Sequence, residues 1–376
     1  MKIIIVGTAY PLRGAMAQLN AILASYLSKK HSVEIISFTR QYPALLFPGK
    51  TQIDPSKPLF DLNITPLIDS INPFTWWKAG RYIRQRKPEL VIFRYWLPFF
   101  GPCFGTIAKL AKWNTAVRVL FICDNIIPHE RRPGDVIFTK YALKQADYCI
   151  VHSHFVEQDL KTLFPDLRHV MVPLPIYEIF GTPCPKDEAR KILEITVPRV
   201  LLYFGFVRPY KGLMVLLDAM KQIQAWSKEL GQILLIIVGE FYDDESKYRN
   251  RAKELGIESH VRFVSDYVPN EQVATHFSAA DVVVLPYLSA TQSAIIQIAY
   301  NFDKPVIATD VGGLAEVIIE GKTGFIVTPN SPEALVQGVK RFYEEQKEEE
   351  FTANVRIEKK KYSWEKMVRT IEELMN

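Results

Sequence analysis

The sequence predicts a two-domain α/β protein in which each domain is a doubly wound parallel sheet. Three observations carry this. Short runs of Ile, Val and Leu recur, apolar at successive rather than alternate positions, as in strands covered on both faces. Helical spacings of apolar residues separate them, and the pattern starts twice, at Lys2–Val6 and again at Val200–Gly205. The chain has 376 residues, more than one core usually organises, roughly 250–300.

Composition narrows the class. Hydrophobic residues make up 48% and charged residues 23%, as in an ordinary globular protein. A formal net charge of +5 suits anionic substrates or a membrane surface. No Lys/Arg-rich arm or aromatic-basic repeat suggests nucleic acid. Cys103, Cys123, Cys149 and Cys184 form no CxxC pair and no metal-like cluster with histidine, so free thiols in a reducing cytoplasm are expected. The start of the chain reads as a strand rather than a signal peptide, and no run of 18 apolar residues occurs.

In order, Lys2–Val6 predicts a buried strand, Gly7–Gly14 a loop, and Leu19, Ile22, Leu23, Tyr26 and Leu27 one face of a helix. Val33–Phe38 closes a βαβ unit. Gly7 and Gly14 stand too far apart for a dinucleotide GxGxxG. Leu45–Trp77 reads as irregular and rich in Pro, Phe and Trp; its apolar residues either face a membrane or lipid acceptor or fold back onto the core. Leu90–Phe93 and Val117–Ile122 are strands. The loop after the second, Cys123 to Arg132, holds Asp124, His129 and Glu130, an acid, an imidazole and an acid at a sheet's carboxyl edge. Ala146–Ser153 is a strand running to a helix cap, with His152 structural, and the prolines between Val170 and Pro185 read as a linker.

After Val200–Gly205, Leu213, Leu216, Leu217, Met220 and Ile223 predict a helix, and Ile233–Val238 a strand ending in Gly239. Asp243 and Asp244 read as surface acids rather than a metal-binding pair. Val261–Val264 is a strand, and Asn270 is expected to cap a helix to about Ala279. The stretch Asp281–Thr309 reads strand, polar turn, helix, strand: Asp281–Leu285, then Thr291 and Ser293 as helix caps, then Ile295, Ile296, Ala299 and Phe302 at helical spacing. Such a turn lies at the carboxyl edge of a parallel sheet, where a helix start favours a phosphate. Ser331-Pro332 opens a further helix, Glu344–Glu350 is a solvated charge run, and Tyr362–Lys366 begins the last helix.

In this order, Gly205-Phe-Val-Arg-Pro-Tyr-Lys-Gly212, the central stretch, Val311-Gly-Gly-Leu-Ala-Glu316 and Gly321–Pro329 resemble the retaining nucleotide-sugar glycosyltransferases of group 1, or family 4. The resemblance implies the GT-B fold, two Rossmann-like doubly wound domains facing a central cleft. It implies an N-terminal acceptor-side domain over 1–175, a nucleotide-sugar-binding domain over 176–360, and a last helix, 361–376, returning to the first. It also implies site residues. Gly14 matches the glycine-rich loop of the first domain, with Ala15 at the usual second glycine. Cys123 stands where many members have a histidine facing the reacting sugar, so Asp124, His129 and Glu130 become the candidate catalytic groups. Lys211-Gly212 matches the family's phosphate-binding lysine; Phe206 fills the arginine place, with Arg208 two residues later. Val264 lies in the neighbourhood that holds the nucleobase in the family, and Gly239 is a further candidate donor contact. The family's two glutamates are replaced by Ala290 and Ile298, leaving Thr291, Gln292, Ser293 and Gln297 as candidate donor contacts.

The function so implied is hexose transfer from a nucleoside diphosphate sugar to a glycan or lipid-linked acceptor in polysaccharide biosynthesis. No metal and no cofactor are expected, the nucleotide sugar being substrate. Arg208 and Lys211 would stabilise charge on the leaving diphosphate. The expected location is cytoplasmic, with peripheral contact at the inner membrane face suggested by the apolar loops. The lost glutamates keep a second reading open: a catalytically impaired sugar-nucleotide-binding homologue acting as a partner subunit. A sugar-nucleotide epimerase is a third, which Gly312, Gly313 and Glu316 fit less well.

Overall fold

A computed structural model describes residues 1–43, 47, 51–127, 132–226, 231–266 and 268–375. The chain divides into two compact units, residues 1–175 with 363–376, and residues 176–362. The first holds a seven-stranded parallel sheet: β1 (Lys2–Val6), β2 (Ser32–Arg40), β3 (Ile64–Asp69), β4 (Leu90–Tyr95), β5 (Arg118–Cys123), β6 (Tyr148–Val151) and β7 (His169–Met171). Their order across the sheet is β3-β2-β1-β4-β5-β6-β7. Ile3, Ile4, Ile5 and Val6 are fully buried, since helices cover both faces. The connecting helices are α1 (Ala15–Ser28), α2 (Pro73–Arg86), α3 (Gly101–Lys112), α4 (Asp135–Leu143) and α5 (His154–Leu163).

The second unit repeats the plan with six strands: β8 (Arg199–Phe204), β9 (Ile233–Val238), β10 (Val261–Val264), β11 (Val282–Leu285), β12 (Val306–Thr309) and β13 (Gly324–Val327). Their order is β10-β9-β8-β11-β12-β13. Its helices are α6 (Lys186–Ile192), α7 (Leu213–Ala225), α8 (Glu245–Glu254), α9 (Asn270–Ala279), α10 (Ala294–Asn301), α11 (Pro332–Glu344) and α12 (Glu348–Glu358). The last helix, α13 (Trp364–Met375), packs on the first unit: Trp364 stacks 6.1 Å from Tyr26, and Arg118 donates to the Met375 carbonyl.

Both sheets reverse direction of winding beside their first strand, between β1 and β4 and between β8 and β11. Ligands of open α/β sheets bind outside the carboxyl ends of the strands at such points.

The stretch Leu45–Trp77, read as irregular, instead contains β3 and the start of α2. Asn72-Pro73 is not a loop signal but a helix start: Asn72 accepts from the Phe74 N–H at 3.1 Å, and proline fills the first position. Pro66 is tolerated in β3 because β3 is an edge strand. Pro43–Pro48 lies largely outside the described residues. Asn270 opens α9 but does not cap it; Pro269 precedes it in the cap position. The charge run Glu344–Glu350 joins the end of α11 to the first turn of α12, next to the buried Phe351.

Candidate functional site

The loops leaving β8, β9 and β11 build the site of the second unit. β8 ends at Phe204, and after Gly205 the chain stays extended beside the end of β9. Val207 donates to Glu240 O at 2.9 Å, Tyr242 donates to Val207 O at 3.0 Å, and Val207 bridges Phe241 in parallel. Side chains alternate along such a segment. Val207 is therefore buried, and Phe206 and Arg208 share the other side. Tyr242 lies next to both: its ring stacks 4.5 Å from Phe206, and the Arg208 guanidinium sits 5.1 Å from its centre. Gly239, φ 148°, packs against the Gly205 carbonyl so closely that a Cβ would collide with it. Its N–H donates to Val264 O at 2.9 Å, which occupies that carbonyl.

Pro209–Lys211 forms one 3-10 turn closed by Gly212, φ 68°, where a Cβ would run into the Pro286 carbonyl oxygen. This turn fixes Lys211. Its ammonium lies 5.5 Å from the centre of the buried Tyr287 ring. A Cβ on Gly205 would stand 3.3 Å from Lys211 Nζ and 3.2 Å from Ile295 Cδ1, so the lysine sits beside the first turn of α10. Burial, then the nearby Arg208 charge, brings the Lys211 pKa down to about 8. Among the described residues no carboxylate pairs with Arg208 or Lys211.

Ser293 caps α10. Its Oγ accepts from the Ile295 N–H at 3.3 Å and donates to Tyr287 Oη at 3.4 Å, and its carbonyl accepts from Ile296 at 3.2 Å. The helix start thus offers its dipole more than free N–H groups. Thr291 is buried, with its carbonyl accepting from Gly313 at 2.9 Å. Gly312, φ 52°, meets the Ala290 carbonyl where no side chain fits. Gln292 is half-buried. Gln297 is 1% exposed, and its Oε1 has no hydrogen-bond partner among the described residues. Ala290 and Ile298, at the glutamate places, are both buried. Asp243 and Asp244 are surface groups: Asp244 caps α8, and Asp243 accepts from Lys247 at 2.9 Å.

In the first unit Gly14, φ 110°, precedes α1 and faces open space. His129 and Glu130 lie outside the described residues. Asp124, a candidate catalytic group, is 6% exposed, with Oδ1 and Oδ2 at 2.9 and 3.0 Å from Nη1 of the fully buried Arg94. Arg94 Nε donates to Asn20 at 3.2 Å, and His152 Nε2 stands 3.7 Å from Asp124. Burial is the main reason the His152 pKa is lowered, and its Nδ1 bonds Val172 O at 2.7 Å. A carboxylate committed to a buried guanidinium is poorly placed as a base. Cys123 is fully buried, and burial pushes its thiol well above the usual range. Sequence reasoning missed Tyr242 and Tyr287. Each is an aromatic within a few residues of a strand's end, a signal hidden by neighbouring acids and by Pro286.

The whole chain superposes on sucrose-phosphate synthase of Thermosynechococcus elongatus with TM-score 0.78 at 20% identity, covering 100% of this chain and 98% of that one. It superposes on Anabaena HepE in complex with UDP-glucose with TM-score 0.76 at 17% identity, covering 100% and 99%. The fold is GT-B. The profile of glycosyl transferases group 1 matches residues 185–375, and the chain belongs to that family. A D-inositol 3-phosphate glycosyltransferase of Corynebacterium glutamicum is 30% identical over 197 residues, 50% of this chain and 47% of that protein. The lipopolysaccharide 1,2-N-acetylglucosaminetransferase of Salmonella typhimurium is 27% identical over 205 residues, 51% and 52%. These matches span about half the length of either relative. Among the described residues no helix is long and apolar enough to cross a membrane.

Proposed function

We propose that the protein transfers a hexose, with retention of configuration and without a metal ion, from a nucleoside diphosphate sugar to a glycan or lipid-linked acceptor. The carrying observation is the pair Arg208 and Lys211. Two cations without a carboxylate partner among the described residues stand at the switch point of the second sheet, one of them beside the start of α10. Cleavage of the sugar–phosphate bond places charge on the leaving diphosphate, and cations held in advance at that position lower the barrier. The departing phosphate would take the acceptor's proton. Gln297, with its unpartnered amide oxygen, is the candidate contact to the ribose in place of the glutamate replaced by Ile298. Gly14, Gly239, Val264, Thr291, Gln292 and Ser293 complete the proposed donor contacts. Asp124 acts in this reading through the packing of its loop, and any acid or base contribution falls to His129 and Glu130.

Calorimetric titration with UDP, GDP, ADP and their sugar conjugates, without and then with magnesium, tests the reading. One nucleoside diphosphate should bind without metal and fail to bind the Arg208→Ala/Lys211→Ala variant. Release of diphosphate from the bound conjugate when acceptor is added, with the product's anomeric configuration retained, supports the enzyme. Binding without turnover on any acceptor supports the partner-subunit reading, which the buried Ala290 and Ile298 favour. No binding removes both.

A further inference from the structure

Helix α2 and the end of α3 place an aromatic and basic surface on the first unit that the fold does not use. Phe74 is 84% exposed, Trp77 53% and Trp113 60%. Residues three and four apart on a helix share a side, so Phe74, Trp77, Lys78, Arg81 and Arg84 line the outer face of α2. Ala79, Gly80 and Ile83 face the core. At Gly80 a Cβ would meet the Leu110 side chain, which shows how closely α3 approaches and why Trp113 joins the patch. The Arg84 guanidinium lies 5.7 Å from the Trp113 ring, and that of Arg81 lies 5.4 Å from Trp77.

The charge is of one sign. The α2 sequence contains no acidic residue. Arg86 is turned inward to Glu34 and Tyr82, but among the described residues no carboxylate pairs with Lys78, Arg81 or Arg84. Large rings left in water beside unpaired cations match the two attractions of a lipid interface. Aromatic rings settle at headgroup level, and basic side chains meet lipid phosphates. A single-stranded nucleic acid would need a groove tracking its backbone, whereas these groups lie on the outside of a helix.

We propose that this face docks the first unit onto an anionic lipid surface, with Phe74, Trp77 and Trp113 among the headgroups and Lys78, Arg81 and Arg84 at their phosphates. The inference does not rest on the donor site, although it would bring the protein to a lipid-linked acceptor.

Flotation of the full chain with vesicles tests it. The protein should float with phosphatidylcholine mixed with phosphatidylglycerol and not with phosphatidylcholine alone, and added salt should weaken the association. The Phe74→Ser/Trp77→Ser and Lys78→Gln/Arg81→Gln/Arg84→Gln variants should each lose at least ~10-fold in partitioning. All five positions are exposed, so thermal unfolding should stay at the wild-type temperature and confirm that the variants are folded. No flotation of the wild type, or equal flotation of the variants, overturns the proposal. So does binding of a single-stranded oligonucleotide through the same residues while vesicles are ignored.

Discussion

At the switch point of the first sheet, Gly7 follows β1, and the space above it is filled by Asn20, with Arg94 alongside. Arg94 is bonded to Asn20 and Asp124, so the charge there is neutralised inside the protein. At the same point of the second sheet, Gly205 follows β8, and the space above it is lined by Lys211 and Ile295. No acid answers Lys211 among the described residues. The same strand order therefore supports two opposite electrostatic outcomes. A buried cation given its counter-ion by the chain is part of the scaffold. One left with aromatic rings, its pKa drawn down to about 8, is costly unless an anion arrives from outside.

Substituting each cation by an apolar residue of similar length should separate the two cases. Arg94→Met strands the Asp124 carboxylate in the interior, and removing one partner of a buried pair costs about 3–5 kcal/mol. For a unit of this size that lowers the unfolding temperature by about 10 °C, read by scanning calorimetry. Lys211→Met should have the opposite sign on stability, because it removes an unpaired, half-buried charge. Its cost should appear in nucleoside diphosphate binding, weaker by about 1.5–3 kcal/mol, the range for hydrogen bonds to charged groups. A Lys211 variant that loses stability and keeps its affinity would make Lys211 scaffold, like Arg94.

The contrast also explains how much was legible in the sequence. Apart from β3, β7 and β13, the strands were, because parallel strands buried on both faces read as unbroken Ile/Val/Leu runs, and the second βαβ start stood out at Val200. Lys211 and the Ser293 cap were legible because local chemistry next to a strand end determines their place. Asp124 was not. Its partners Arg94, Asn20 and His152 come from three other segments, and only the sheet order brings them together. Helix α2 was missed for a related reason: Asn-Pro serves equally as a turn or a helix start, and what decides it is the packing of Ala79 and Ile83 onto the core. The Phe206–Tyr242 stack required knowing that the loops after β8 and β9 run on as a paired extension.

A change of pH sharpens the same comparison without mutation. Lys211 binds an anion best when protonated. Below pH 8 it is mostly charged, and its occupancy falls as pH rises through about 8. With that value, roughly one molecule in ten keeps the proton at pH 9. Diphosphate affinity should then drop towards ~10-fold between pH 7 and 9, with proton uptake on binding seen as a buffer-dependent heat. The Lys211→Met variant should show neither effect. A wild-type profile flat over this interval would mean that the ammonium keeps its ordinary pKa and is not desolvated as the geometry indicates.

The smallest effect expected is at Tyr242, which touches Arg208 through its ring. Cation–π contacts at partly exposed sites contribute about 0.5–1 kcal/mol. The ring also limits where Arg208 can go, since Phe206 packs against the same aromatic. Tyr242→Ala should therefore weaken diphosphate binding about 2–5-fold, by the same range of energies. Tyr242→Phe, which keeps the ring and removes only the hydroxyl, should restore it. In an Arg208→Ala background the Tyr242→Ala substitution should add little, because a positioning residue has no effect once the group it positions is gone. Full additivity of the two substitutions would instead mean that Tyr242 meets the ligand directly, turning the second sheet's edge into an aromatic contact as well as a cationic one.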